Sequence, residues 1–144
     1  MGEQRNLHTT GIILKKQPVG ENDILVTLYS PEFGKIQAAA KGARKMTSSF
    51  SGHIETLNMC NVQLYKTPVR YTLIQCQTVE SFKNIREDFE RSMMAGLMIE
   101  IFHKSTLSTE HVPELFHLLK ESLQKLCISE QHFLTVEGFK LNLL

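Results

Sequence analysis

Residues 35–41 read Lys-Ile-Gln-Ala-Ala-Ala-Lys, and this stretch decides the fold class of the first half of the chain. It alternates, with Ile36, Ala38 and Ala40 on one face and Lys35, Gln37 and Lys41 on the other. A period of two is typical of a half-buried β-strand, whose apolar face meets a core. The opposite face, which carries the lysines, is therefore predicted to meet water or a ligand.

Similar strand signals lie on both sides of this stretch. Residues 12–16 and 24–29 are rich in β-branched side chains and are separated by turn residues at 18–23, while residues 57–66 and 70–79 both alternate around Thr67-Pro68-Val69. Residues 42–52 are polar, basic and small, which is typical of a loop. Five short strands without a helix long enough to cross between parallel neighbours predict a small closed barrel.

The second half changes to a helical period. Phe89, Met93, Leu97 and Ile101 form an apolar stripe, and a second helix is predicted from Pro113. Its apolar positions are Leu115, Leu119, Leu123 and Leu126. Residues 130–144 combine strand-like and helix-like features, and the two preceding helices favour a third. We expect an α+β fold: a barrel domain at residues 1–80 and an incomplete helical domain at 81–144.

Charge is distributed unevenly, although the net charge of the chain is only +1. Through Glu80 there are nine Lys and Arg against six Asp and Glu, and after Glu80 nine acids outnumber seven Lys and Arg. The basic first half and the acidic second half indicate two surfaces with different partners.

Several functional classes find no support in the sequence. The amino terminus has no apolar signal region and no stretch is long enough for a membrane helix, so we expect a cytoplasmic protein that does not bind membranes. Cys60, Cys76 and Cys127 form no CxxC pair, so no metal site is predicted. No phosphate-cradling GxxxxGK[ST] loop or GxSxG elbow is present, so no catalytic residue and no cofactor is predicted. His53 with Cys60 is a weak base and nucleophile candidate, because no third orienting group can be recognised.

A family resemblance becomes visible from the order of these segments. Residues 11–55 run GIILKKQPVGENDILVTLYSPEFGKIQAAAKGARKMTSSFSGHIE, in which a Gly-Glu-x-Asp turn, a Gly-Lys strand and an Ala-Lys-Gly-Ala-Arg segment follow one another. Later segments, PELFHLLKESLQKL and FKLNLL, continue the pattern. In this order the chain resembles the RecO family of DNA-repair proteins over nearly its whole length.

The resemblance implies an OB-fold in the first domain and a helical second domain. It also implies binding of single- and double-stranded DNA, annealing of complementary strands, and partnership with RecR and the single-stranded-DNA-binding protein to help load RecA. The zinc-binding cysteine cluster of many family members lies in a C-terminal part that has no counterpart here. No metal is therefore carried over.

A DNA site needs cations along the phosphate backbone and flat side chains on which bases stack. The cationic candidates are Lys15, Lys16, Lys35, Lys41, Arg44, Lys45, Lys66 and Arg70, and the candidate stacking rings are Tyr29, Phe50, Tyr65 and Tyr71. Exposed cations are normal on any soluble barrel, and an aromatic residue on a strand more often packs in a core.

A competing interpretation is a protein-interaction scaffold with little DNA binding. In that interpretation the helices dock a partner peptide. The methionines at 93, 94 and 98 would then line an adaptable groove, although core filling is the commoner role of such a cluster.

Overall fold

The chain forms a closed five-stranded barrel followed by four helices, as seen in a computed structural model that describes residues 5–107 and 112–143. The strands are β1 (Asn6–Val19), β2 (Asp23–Ser30), β3 (Gly34–Ala40), β4 (Met59–Lys66) and β5 (Tyr71–Glu80). Around the barrel their order is β1-β2-β3-β5-β4. All neighbours are antiparallel except β3 and β5, which are parallel and share two residue pairs. The expected OB-type barrel is confirmed.

The long strand β1 pairs with two neighbouring strands. Its first half pairs with β4 and its second half with β2, and Ile12 takes part in both ladders. The register shifts between Ile13 and Lys15, so Leu14 is an extra residue. Ile12 and Leu14 both belong to the cluster between barrel and helices, while Ile13 points into the barrel. Because of the bulge, Lys15 faces outward like Leu14 instead of inward.

The barrel interior is filled as the alternation predicts. Ile36, Ala38 and Ala40 of β3 are at most 2% exposed and pack with inward residues of the other strands. The connection between β3 and β4 contributes Phe50 and Ile54 to the same cluster, so this connection also closes the barrel core.

The helices follow directly after β5. They are α1 (Lys83–Arg86), α2 (Phe89–Ser105), α3 (Pro113–Ile128) and α4 (His132–Leu143). At the start of α2 the carboxylate of Asp88 accepts a hydrogen bond from the backbone N–H of Arg91 at 3.1 Å, which is an N-cap. Pro113 opens α3, where its missing N–H costs nothing.

One end of the outer barrel surface is covered by these helices. Ile12 and Tyr29 lie side by side on β1 and β2 and pack against Phe102 of α2 and Phe116 of α3 in one cluster. Barrel and helices therefore share a continuous apolar interface, while the other end of the same outer surface stays open.

Sequence and structure differ mainly at element boundaries. The short helix α1 was not predicted, because a single turn following the left-handed Phe82 (φ 54°) carries no periodic signal. Strand β4 starts at Met59 rather than at Leu57, whose φ of 87° ends any ladder. The helix predicted for residues 130–144 is present at His132–Leu143.

Some residues used in the sequence predictions lie outside the described ranges. They are Glu3 and Glu110, which entered the charge comparison, and Leu144, the last residue of the segment 130–144. Within the described ranges, none of the helices combines the length and apolar character needed to span a bilayer.

Candidate nucleic-acid interface

An open groove lies between the outer face of β2 and β3 and the hairpin that joins β4 to β5. We name it the outer cleft; its volume is about 500 Å³. Its lining includes the apolar residues Leu25, Ala39 and Val69, the cations Lys66 and Arg70, and the ring of Tyr71. In OB-folds this strand face, flanked by the β1–β2 and β4–β5 connections, is where oligonucleotides bind.

The hairpin wall of the cleft is held in a fixed shape. Thr67 donates its backbone N–H to the carbonyl of Arg70 at 2.9 Å, and its hydroxyl oxygen accepts the N–H of Arg70 at 3.1 Å. Lys66 and Arg70 are both exposed, and the Lys66 ammonium lies 5.7 Å from the centre of the half-buried Tyr71 ring. Two cations and one aromatic ring are thereby placed together on one wall.

The segment after β3 follows Ala39 of the cleft lining and lies against the β1–β2 turn. Lys41 continues the outward alternation of Ala39, and Arg44 and Lys45 follow within one irregular turn; all three cations are exposed. We name residues 41–45 the basic loop. It adds three positive charges beside the open cleft.

Contacts with the β1–β2 turn fix the basic loop. Arg44 donates its backbone N–H to the carbonyl of Asn22 at 2.8 Å and a guanidinium N–H to the carbonyl of Gly20 at 3.3 Å. Gly42, at φ +71°, donates its N–H to the carboxylate of Asp23 at 2.8 Å. A left-handed glycine and three hydrogen bonds thus join two segments about twenty residues apart.

Comparison with known proteins identifies the family of the chain. Residues 4–82 match the family described as Recombination protein O N terminal, and residues 86–144 match Recombination protein O C terminal. The chain belongs to the RecO family. Its two matched parts correspond to the barrel and to the helices that follow it.

Curated relatives of this RecO-family chain are DNA repair proteins RecO. One from Dehalococcoides mccartyi strain BAV1 is 35% identical over 144 residues, which is all of this chain and 57% of the relative. One from Acetivibrio thermocellus is 34% identical over 139 residues, 96% of this chain and 55% of the relative. One from Bacillus mycoides is 33% identical over 117 residues, 81% of this chain and 47% of the relative. The chain thus spans about half the length of these relatives.

Two lysines of the RecO-family chain lie inside a strand, although the strand predicted at residues 12–16 placed them at its end. Lys15 and Lys16 are inside β1 and point to opposite sides, because Lys15 pairs with Thr27 and Lys16 with the inward Val26. Lys16 forms an ion pair with Glu55 at 3.0 Å. Lys16 is therefore removed from the candidate DNA-contacting cations, which corrects the expectation from the sequence.

Lys35 has a structural role that the sequence did not reveal. Its ammonium donates to the carbonyls of His103 and Thr106, both at 2.7 Å, at the end of α2. Burial lowers the pKa of Lys35. Lys35 and Lys41 share the outer face, as predicted, but stand at opposite ends of β3, roughly 20 Å apart at 3.3 Å per residue.

Two of the four candidate stacking rings are buried, which corrects a further expectation. Tyr29 is 0% exposed, packs edge-on against Phe102 with centroids 5.0 Å apart, and donates its hydroxyl to the carbonyl of Val112 at 3.5 Å. Phe50 is 8% exposed and fills the barrel core. Neither ring has a free face on which a base can stack.

Tyr65 lies on a different surface from Tyr71. It shares the outward alternation of β4 with Gln63 and Asn61, and pairs with Asn6 of β1. The neighbouring groove of about 620 Å³ is lined largely by uncharged polar side chains. We name its outward members the amide face: His8, Thr10, Asn61, Gln63, Gln75 and Gln77. Of the four rings, only Tyr71 lines the outer cleft.

The contacts of His53 and Cys60 show how these two residues, the weak base and nucleophile candidates, are arranged. The His53 ring accepts the backbone N–H of Thr78 at 3.0 Å through Nδ1, whereas the Cys60 thiol donates to the His53 carbonyl at 3.6 Å. The ring therefore does not act as a base on this thiol. The neighbouring Cys60 thiol, followed by burial, raises the pKa of Cys76. Across residues 5–107 and 112–143, no three His, Cys, Asp or Glu side chains group as a metal site.

Proposed function

We propose that this RecO-family chain carries the DNA-binding part of a recombination mediator in DNA repair. It binds single- and double-stranded DNA in the outer cleft, and promotes strand annealing and RecA loading without ATP hydrolysis. Its protein partners are RecR and the single-stranded-DNA-binding protein, with RecA engaged indirectly. We place its action in the bacterial cytoplasm, at the nucleoid.

One observation carries the proposal: cations stand on two sides of an open OB-fold cleft. Lys41, Arg44 and Lys45 lie beside the β1–β2 turn, and Lys66 and Arg70 lie on the hairpin wall. A polyanion lying along the cleft meets both groups, and its binding releases counterions. The apolar floor and the Tyr71 ring suit unpaired bases, whose faces stack without regard to sequence.

Annealing needs no nucleotide hydrolysis in this scheme. A basic surface that neutralises phosphates lowers the repulsion between two strands, and base pairing then supplies the net free energy. In this scheme the basic surface of the protein neutralises the phosphates as a counterion would. No catalytic residue is required.

Fluorescence anisotropy of a labelled single strand over a salt series tests the proposal. If each of the five cleft cations contacts one phosphate, the slope of log K against log salt is near −3.5, at roughly −0.7 per contact. Undetectable or salt-insensitive binding refutes the DNA site. Protein-accelerated annealing of complementary oligonucleotides, measured in the same buffer, tests the mediator activity separately.

The scaffold alternative has an observation in its favour. Helix α2 exposes Phe89, Met93 and Leu97 at intervals of four residues, on the side away from its buried Met98 and Phe102. Met93 is 59% exposed, so the prediction that this cluster fills the core is wrong for that residue. A scaffold would keep peptide binding while showing no salt-dependent DNA binding, and the anisotropy series separates the two functions.

A further inference from the structure

Four basic side chains converge where the barrel meets the end of α2. Lys15 and Lys35 come from the outer face of β1 and β3, and His103 and Lys104 come from the last turn of α2. The Lys35 ammonium contacts the backbone of His103 directly. We name these four residues the junction cluster.

Lys35 is a positioned donor within this cluster. An ammonium has three N–H groups, and the carbonyls of His103 and Thr106 take two of them at 2.7 Å each. Among the described residues, no acceptor takes the third N–H, so it can donate to a ligand. Because the two carbonyls hold the ammonium in place, a ligand that accepts this N–H does not have to order the side chain first.

The surroundings of His103 are strongly positive. Burial, and then the charges of Lys35, Lys15 and Lys104, lower the pKa of His103. Its Nδ1 is buried and finds no hydrogen-bond partner within the described part of the chain. Glu100 reaches Lys104 at 3.7 Å, but both of these side chains are largely exposed, so the pair offsets little of the field.

The junction cluster continues the outer cleft. Gln37 lines the cleft, and Lys35 is the next outward residue along β3, roughly 7 Å away. Gln37 also bonds to the hydroxyl of Thr27 at 3.5 Å, and Thr27 pairs with Lys15. A chain of phosphates leaving the cleft toward the helices therefore meets the cluster next.

We propose that the junction cluster binds a backbone phosphate of the DNA strand, so that the DNA site extends from the barrel onto the helical domain. This inference rests on the proposed function. It adds His103 and Lys104, two residues of the net-acidic half, to a site that the sequence placed in the first half alone. The barrel–helix junction then takes part in binding the same DNA strand.

The first test removes the two flexible cations. We expect K15Q with K104Q to flatten the salt slope by about 0.7 and to weaken single-strand binding about fivefold near 0.1 M salt, because one phosphate contact is lost at roughly 0.7 log units per contact. The matched control, K83Q with K125Q, removes the same charge elsewhere on the helical domain and stays within about twofold of wild type. An unchanged slope in the first variant overturns the DNA contact.

The second test does not depend on DNA. Inorganic phosphate is titrated into the intact protein while NMR follows the imidazole signals, and H103Q identifies the His103 resonance among six histidines. A phosphate on the cluster raises the pKa of His103, because its negative charge offsets the neighbouring lysines. Sodium chloride at equal ionic strength is the control. No response to phosphate overturns the site.

The two tests separate this inference from the proposed function. If DNA binds in the outer cleft but both tests are negative, the junction site is refuted and the cleft stands. If no DNA binds while His103 responds to phosphate, the DNA function is refuted and an anion site at the junction stands.

Discussion

The outer cleft and the amide face are two outer surfaces of one barrel, built by the same alternation of strand residues. Toward the cleft, the outward positions and adjoining loops carry Lys41, Arg44, Lys66 and Arg70. The amide face presents amide and hydroxyl groups and one imidazole instead. Alternation therefore decides which residues face outward, and strand order decides which outward residues share a surface. The binding proposal depends on that second property.

The largest expected effect comes from the basic loop. Replacing Lys41, Arg44 and Lys45 together with Ala should weaken single-strand binding about 100-fold near 0.1 M salt and flatten the salt slope by about 2, since three phosphate contacts are lost. Anisotropy over a salt series measures both quantities. The control, Lys83, Lys120 and Lys125 changed to Ala, removes equal charge from the helices. Equal losses in the two triple variants would mean that net charge, rather than the cleft, governs binding.

The hairpin wall should give the next largest effect. K66A with R70A removes two cations from the cleft and should lower affinity about 25-fold near 0.1 M salt. The comparison variant is K16A, which removes one cation that is paired with Glu55 away from the cleft, and it should change affinity less than about twofold. Circular dichroism checks that both proteins stay folded. If K16A binds as weakly as the double variant, the two surfaces are not distinct.

A pair of tyrosines on the same hairpin tests base stacking. Y71L should lower single-strand affinity about fivefold, because stacking on an aromatic ring contributes roughly 1 kcal/mol per base at the low end of its range. Y65L, on the surface away from the cleft, should bind like wild type. The comparison uses oligothymidine and is read by anisotropy. Equal affinities for both variants would remove Tyr71 from the site.

The smallest effect is expected on the amide face. Q75A with Q77A removes two exposed amides from β5 without changing the charge, and DNA affinity should stay within about twofold of wild type, because no phosphate contact is lost. A clear loss of binding would show that DNA also uses the amide face. The contrast between the two outer surfaces would then fail.

Sequence reasoning was most successful where one local pattern decides the structure. The alternation of residues 35–41 predicted β3 and its inward residues, and the turn residues predicted where one strand ends and the next begins. Helix α3 begins at Pro113 as expected. In each case the physical cause lies within a few neighbouring residues.

Predictions that depended on distant contacts were less successful. Tyr29 has the same sequence context as an exposed strand tyrosine, but Phe102, far along the chain, covers it. The Lys35 ammonium donates to two backbone carbonyls that lie 68 and 71 residues further along the chain. The bulge at Leu14 sets the side to which Lys15 and Lys16 point, and a run of apolar residues does not reveal it. Such facts follow from tertiary packing and not from local spacing.

The hydrogen bonds between the β1–β2 turn and the basic loop have a consequence for engineering this protein. Gly20 and Asn22 carry no positive charge, yet their carbonyls hold Arg44. Lengthening that turn by one residue would shift the guanidinium while leaving every lysine and arginine in the sequence. The turn is therefore a place to change the proposed DNA affinity without altering the net charge of the protein.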